Sequence, residues 1–189
     1  MELTPLGLEG AWLASSPVWA DTRGNFREWF KITNVMEVTG LDFSVAQANL
    51  SESMCGVVRG IHYSVTPVGQ AKWVTCISGA IKDVVVDLRN DSATYGRYVA
   101  VDLVNGDGRA ILISHGLGHG FVAKEDGTKV AYLVTSPYSP TEEFEINPLD
   151  PEIGIDWGFP IERLLLSPKD AAAPTLKVRA LEGNLPAGL

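Results

Sequence analysis

Ala71-Lys72-Trp73-Val74-Thr75-Cys76-Ile77-Ser78 and the following Ile81-Lys82-Asp83-Val84-Val85-Val86-Asp87-Leu88 decide the fold. Both runs are rich in β-branched residues and alternate with a period of two, the repeat that puts successive side chains on opposite faces of a strand. The pattern extends outward from about residue 56 to residue 135, through Tyr98–Val104, Arg109–Ser114, Gly120–Ala123 and Val130–Thr135. Asn105-Gly106-Asp107-Gly108 and Glu125-Asp126-Gly127 lie between these segments as hairpin turns, where glycine supplies the positive φ such turns need. Short strands at this spacing predict an antiparallel sandwich or barrel, not a parallel sheet with crossover helices.

The flanks read differently. Glu28–Val38 fits a short helix before Gly40, and Pro168–Leu181 fits another, with Ser167 as N-cap and Pro168 at the first helical position. Between Ser136 and Pro168, the prolines at 137, 140, 148, 151 and 160 exclude regular structure of any length. There is no internal repeat and no low-complexity segment. With 189 residues, 46% hydrophobic and 20% charged, the chain reads as a single globular domain spanning residues 1–189.

A formal charge of −8 repels a phosphate backbone, so no nucleic-acid partner is expected, although a local basic cluster could still hold one phosphorylated ligand. Met1-Glu2-Leu3-Thr4-Pro5 has no basic region leading into an apolar stretch, and no run approaches the roughly 18 apolar residues of a membrane span. A cytoplasmic protein without membrane contact is expected. Cys55 and Cys76 lie in or beside apolar strand-like runs, which suits two free thiols; a Cys55–Cys76 disulfide is the alternative.

Alternation puts Lys72 on the face of Val74 and Cys76, opposite Trp73, Thr75 and Ile77. Both faces are largely apolar. Lys72 is therefore either a buried ammonium that needs an anion or a side chain snorkelling from a strand end. The same count places Asp83 and Asp87 beside Val85, so an interior Lys–Asp pairing would neutralise both partners. His62, in Val57-Val58-Arg59-Gly60-Ile61-His62-Tyr63, is either a hydrogen-bonded core residue or a base. Strict alternation puts Arg59 on the face opposite His62, and only a bulge or bend near Gly60 would bring both into one pocket. His115 and His119 have the four-residue spacing of a helical metal pair, but the three glycines of His115-Gly116-Leu117-Gly118-His119-Gly120 and the preceding strand make the setting non-helical. No metal is expected.

Asp21-Thr22-Arg23-Gly24, Gln47-Ala48-Asn49-Leu50-Ser51, Gly56-Val57-Val58-Arg59-Gly60-Ile61-His62-Tyr63, Gln70-Ala71-Lys72, Asp83-Val84-Val85-Val86-Asp87-Leu88-Arg89, Gly118-His119-Gly120-Phe121 and Ser167-Pro168-Lys169-Asp170 together resemble, in order, the motifs of the dTDP-4-dehydrorhamnose 3,5-epimerase family. The resemblance runs from about residue 3 to residue 180. It implies an all-β, cupin-like jelly-roll barrel with short flanking helices, a homodimer, no cofactor or metal, and a dTDP-4-keto-6-deoxyglucose substrate on the route to dTDP-L-rhamnose. Carried over by position, it makes His62 the proton acceptor backed by Asp170, Tyr132 the proton donor, and Lys72 the cation that stabilises the enolate. It gives Arg23, supplied across the dimer, together with Glu28, Gln47, Asn49, Arg59, His119, Glu143 and Lys169, the task of holding nucleotide and sugar. Tyr138 would stack on the thymine. Ser136-Pro137-Tyr138 and Ser114-His115-Gly116-Leu117 depart from the family's usual residues, without touching the catalytic positions.

These residue types suit the chemistry independently. A hydrogen beside a ketone becomes acidic only when the enolate oxygen is stabilised, which a fixed cation in a dry barrel does. Inversion then needs one group to remove the proton and another to return it from the far face, tasks fitted to an imidazole of pKa about 6.5 and a phenol of pKa about 10. Three other readings stay open: a single-carbon epimerase of an antibiotic deoxysugar, a non-catalytic sugar-nucleotide-binding cupin, and a metal-dependent cupin oxygenase. Against the last, His62 is followed by Tyr63-Ser64, not by the His-X-His and glutamate of metal cupins.

Overall fold

The computed structural model describes residues 1–67 and 69–186. Among the described residues thirteen strands follow one another as β1 Glu2–Pro5, β2 Ala11–Ser15, β3 Trp19–Asp21, β4 Gly24–Phe26, β5 Gln47–Ser53, β6 Val58–Ser64, β7 Lys72–Ser78, β8 Ala80–Asp87, β9 Tyr98–Val104, β10 Arg109–Ile113, β11 Leu117–Ala123, β12 Thr128–Val134 and β13 Glu143–Glu145. They form a six-stranded sheet, β1-β2-β10-β7-β12-β5, a five-stranded sheet, β13-β6-β11-β8-β9, and a separate β3-β4 hairpin. From β5 to β8 and again from β9 to β13, sequential strands alternate between the two large sheets, and every pairing between named strands is antiparallel. This is the expected all-β jelly roll.

Period-two alternation explains why three cores exist. Val74 and Cys76 of β7, Val130 of β12, Ile111 and Ile113 of β10, and Ile81 and Val85 of β8 fill the space between the sheets. The opposite faces are covered as well. Trp73, Leu112 and Leu133 pack beneath Val35 and Phe43, while Val84, Val86 and Val122 pack beneath Ile146, Trp157 and Leu164. Strands covered on both faces carry long apolar runs, which is why 71–88 reads as almost continuously hydrophobic. Lys72, on the inner face, is buried.

The strand segments expected from sequence appear within one to three residues of their predicted ends. The helices are shorter. α1 covers Ile32–Thr39 and stops at Gly40 in the left-handed conformation, but it does not begin at Glu28. The backbone before it is used otherwise: the Trp29 carbonyl accepts the Trp73 indole N–H at 2.9 Å, and Phe30 packs edge-on against Trp73. The expected Pro168–Leu181 helix is two pieces, α2 Pro168–Ala171 and α3 Leu176–Leu181, because Pro174 cannot supply a helical N–H. Ser167 caps α2 as expected, accepting the Asp170 N–H, and Thr175 caps α3. In the proline-rich stretch only β13 and a 3₁₀ turn at Ile161–Arg163 are regular.

Asp87 does not pair with Lys72. Arg89, Ser92 and Thr94 surround its carboxylate at 2.6–2.9 Å. Cys55 and Cys76 are free thiols. Among the described residues, no helix is long and apolar enough to cross a membrane.

Candidate active site

Cross-strand register carries the first wall of the site. On the six-stranded sheet Lys72 stands opposite Val134, which stands opposite Gln47; one step along, Val74 pairs with Tyr132 and Tyr132 with Asn49. Partners directly opposite share a face, so Lys72, Gln47, Tyr132 and Asn49 all project between the sheets. Val134 and Gln70 lie two residues from Tyr132 and Lys72 and line the same cavity. That spacing was the signal available for these two, which sequence reasoning left without a role.

The second wall comes from β6 of the other sheet, where a bulge decides what faces inward. His119 of β11 pairs with His62, but Phe121 pairs with Arg59, so three steps on β6 match two on β11. The extra residue falls at Gly60, whose φ is +124°. A Cβ there would lie 2.5 Å from the Gly120 Cα and 2.6 Å from the His119 carbonyl oxygen. The bulge shifts the alternation by one residue. Val58, Ile61 and Tyr63 therefore point into the outer core, while Arg59 and His62 line the cavity together.

α2 brings the third component. The Ser167 cap fixes the first turn, and Asp170 Oδ1 lies 2.7 Å from His62 Nε2. Burial pushes the Asp170 carboxyl up, but hydrogen bonds from His62 and Ser167 and the Lys169 charge outweigh it and hold Asp170 below the usual carboxylate range. An ionised Asp170 can only accept, so His62 Nε2 carries the proton and Nδ1 is left as the basic atom of the ring.

The resulting cavity of about 390 Å³ falls in the size range of small-molecule sites. Burial lowers the Lys72 ammonium from the usual lysine value, opposed by the Glu143 and Asp83 charges. Burial raises the Tyr132 phenol, with Arg59 acting against it and Glu143 with it. Burial thus favours the protonated phenol of Tyr132 and disfavours the charged form of Lys72. Gln70 donates to Glu143 Oε1 at 3.0 Å and to Ser136, which fixes the carboxylate near Lys72. At the rim, Gln47 bonds Asn49 and accepts the Tyr138 N–H, and Lys169 pairs with Glu145 at 2.9 Å. Phe144 and Ser167 also line the cavity; Phe144 had no role expected from sequence, and Ser167 only that of a helix cap.

Ten of the thirteen expected residues line this one cavity. His119 lies beneath it, buried, with Nε2 2.8 Å from Asp83 Oδ2. Arg23 and Glu28 are exposed and outside the cavity of their own chain; Arg23 sits at the β3-β4 turn, paired with Asp21. His115 occupies a turn and His119 a strand, so their spacing is not helical. Among the described residues, no group of three or more His, Cys, Asp or Glu is arranged to hold a metal ion.

A jelly roll whose cavity joins a His–Asp pair, a buried lysine and a buried tyrosine has the groups for acid–base chemistry on a small molecule. The dTDP-4-dehydrorhamnose 3,5-epimerase family profile matches residues 5–178, and the chain belongs to that family of isomerases. It is 46% identical over 186 residues to a dTDP-4-dehydrorhamnose 3-epimerase of Streptomyces niveus, covering 98% of this chain and 89% of the relative. It is 44% identical, over 98% of this chain and 91% of the other, to the dTDP-4-dehydrorhamnose 3,5-epimerase of Mycolicibacterium smegmatis. The crystal structure of the Legionella pneumophila dTDP-6-deoxy-D-glucose-3,5-epimerase, in complex with dTDP-4-keto-L-rhamnose, matches with a TM-score of 0.93 at 35% identity, covering 100% of this chain and 98% of that one.

Proposed function

We propose that this enzyme inverts C3 and C5 of dTDP-4-keto-6-deoxyglucose by removing and returning the hydrogens that flank the C4 ketone. The observation that carries the reading is the opposition of His62, on β6 of one sheet, to Tyr132, on β12 of the other, with Lys72 beside Tyr132's row. A base and an acid on opposite walls are what inversion at carbon requires. His62, oriented by Asp170, takes the proton; Lys72 stabilises the enolate oxygen, a contribution worth about 3–4 kcal/mol for one well-placed donor; Tyr132 returns a proton from the far side. Gln47, Asn49, Arg59, Glu143 and Lys169 hold the sugar nucleotide and Tyr138 covers the base, while His119 is engaged by Asp83 outside the cavity lining.

Arg23 and Glu28 fit a homodimer in which the β3-β4 hairpin of one protomer reaches the cavity of the other. The exposure of Trp19 and Phe26, stacked with centroids 5.9 Å apart on that hairpin, supports this assembly. A cytoplasmic location accords with a soluble sugar-nucleotide substrate. The name of the Streptomyces niveus relative, a 3-epimerase, favours a second reading in which one carbon alone is inverted.

Incubation of dTDP-4-keto-6-deoxyglucose with the enzyme in heavy water separates the two. Deuterium at both C3 and C5 is expected. Label at C3 alone would establish the single epimerase, and no label at either carbon would remove the proton-transfer reading altogether.

A further inference from the structure

Asp83 lies on β8 and points between the sheets, fully buried. One carboxylate oxygen accepts from His119; the other, Oδ1, is buried and has no hydrogen-bond partner. An ionised carboxylate placed this way is costly unless a positive charge stands nearby. Lys72 is that charge. Of the anions that act on Lys72, Glu143 is already bonded to Gln70 at the cavity wall, whereas Asp83 has an oxygen free.

We infer that Asp83, held by His119, is a positioning residue for Lys72: a buried counter-charge that keeps the ammonium protonated and fixed beside the reacting ketone. This rests on the epimerase reading for its consequence in turnover, but the coupling of the two charges stands independently. The anionic groups around Lys72 are Asp83 from β8, Glu143 from β13 and Asp170 from α2, the last already engaged by His62. Facing them are Arg59 and His62 from β6, His119 from β11, Tyr132 from β12 and Lys169 from α2, with Lys169 neutralised by Glu145. Of these three anions Asp83 alone is fully buried outside the cavity lining, where a substrate cannot displace it. Burial raises the Asp83 carboxyl while His119 and Lys72 oppose that rise, the reciprocal of its action on Lys72.

The test is an NMR titration of the Lys72 side-chain nitrogen in the intact enzyme and in Asp83→Asn, with the pH profile of turnover recorded on the same samples. The Lys72 midpoint is expected to fall by about one pH unit or more in Asp83→Asn, and the alkaline limb of kcat/KM to move down with it. Should Asp83→Asn fail to fold, Lys72→Met supplies the reciprocal arm: the Asp83 carboxyl carbon should titrate at higher pH than in the parent. An unchanged Lys72 midpoint in folded Asp83→Asn, or an unchanged Asp83 midpoint in Lys72→Met, overturns the inference. If the parent enzyme does not turn over the dTDP-4-keto sugar, the functional reading fails while the titrations still decide the coupling.

Discussion

Arg59 and His62 stand three residues apart on β6 and yet face the same cavity, because the extra residue at Gly60 shifts the side-chain alternation between them. Gly60 is the hinge of that shift. Its φ of +124° disfavours any side chain, and a Cβ would collide with the β11 backbone at His119 and Gly120.

Gly60→Ala is therefore expected to destabilise the protein by roughly 3 kcal/mol, from backbone strain together with overpacking. Its kcat should fall at least tenfold in the fraction that remains folded. Thermal unfolding and turnover measured on one preparation check this, and a variant with unchanged melting and activity would contradict the bulge as the organiser of the site.

Asp170→Asn leaves a hydrogen bond to His62 but permits the wrong imidazole tautomer. A loss of about 10²- to 10⁴-fold in kcat is expected, with dTDP affinity within a few-fold of the parent. His62→Ala should lose at least as much, and adding Asp170→Asn to it should cost little more, since the two act as one unit. Additive losses would separate them.

The alkaline limb of kcat/KM should report Lys72, not Tyr132. Burial depresses Lys72, so its charge is lost below the usual lysine value, whereas burial raises Tyr132, so its proton is retained above the usual tyrosine value. The two shifts run in opposite directions, toward loss of the cation before loss of the phenol proton. In Lys72→Arg, whose guanidinium does not deprotonate, whatever activity survives should persist to higher pH. A limb that stays in place in this variant would assign it to another group.

The buried Asp87–Arg89 pair predicts an acid-sensitive stability. Burial raises the Asp87 carboxyl, but Arg89, Ser92 and Thr94 together hold it at about 2. The unfolded value is about 3.9, so the contribution is fully present above pH about 4 and is lost as pH falls through about 2. Asp87→Asn leaves Arg89 uncompensated and should cost about 3 kcal/mol at neutral pH, a fall in Tm of roughly 6–12 °C. Denaturation of parent and variant at pH 7 and pH 2.5 should give a gap that narrows in acid.

For the dimer, light scattering of the parent should give twice the chain mass. Arg23→Ala should raise KM with little change in kcat, if Arg23 binds nucleotide in trans. A fully active monomer at nanomolar concentration would refute that role.

The sequence by itself determined the antiparallel strands of a sandwich or barrel, because period-two alternation and glycine turns are local properties: residues 71–88 and the turns at 105–108 and 125–127 specify strands wherever the chain goes. The motif order from Asp21 to Asp170 likewise pointed to the family and to the catalytic types. It could not determine where α1 begins or that Pro168–Leu181 divides, since the Trp29 carbonyl is claimed by Trp73 from a distant strand and the broken turn at Pro174 is tied to Asn147 and Asp150. Nor could it assign Asp87 to Arg89 and Asp83 to His119, because the two aspartates are equivalent in the alternation and differ only in what other strands bring to each. The bulge is the plainest case. Whether Arg59 joins His62 depends on how many residues of β6 are matched against β11, a register fixed by cross-strand hydrogen bonds and by the close approach of Gly60 to Gly120, and that is a property of two strands packed together and not of either alone.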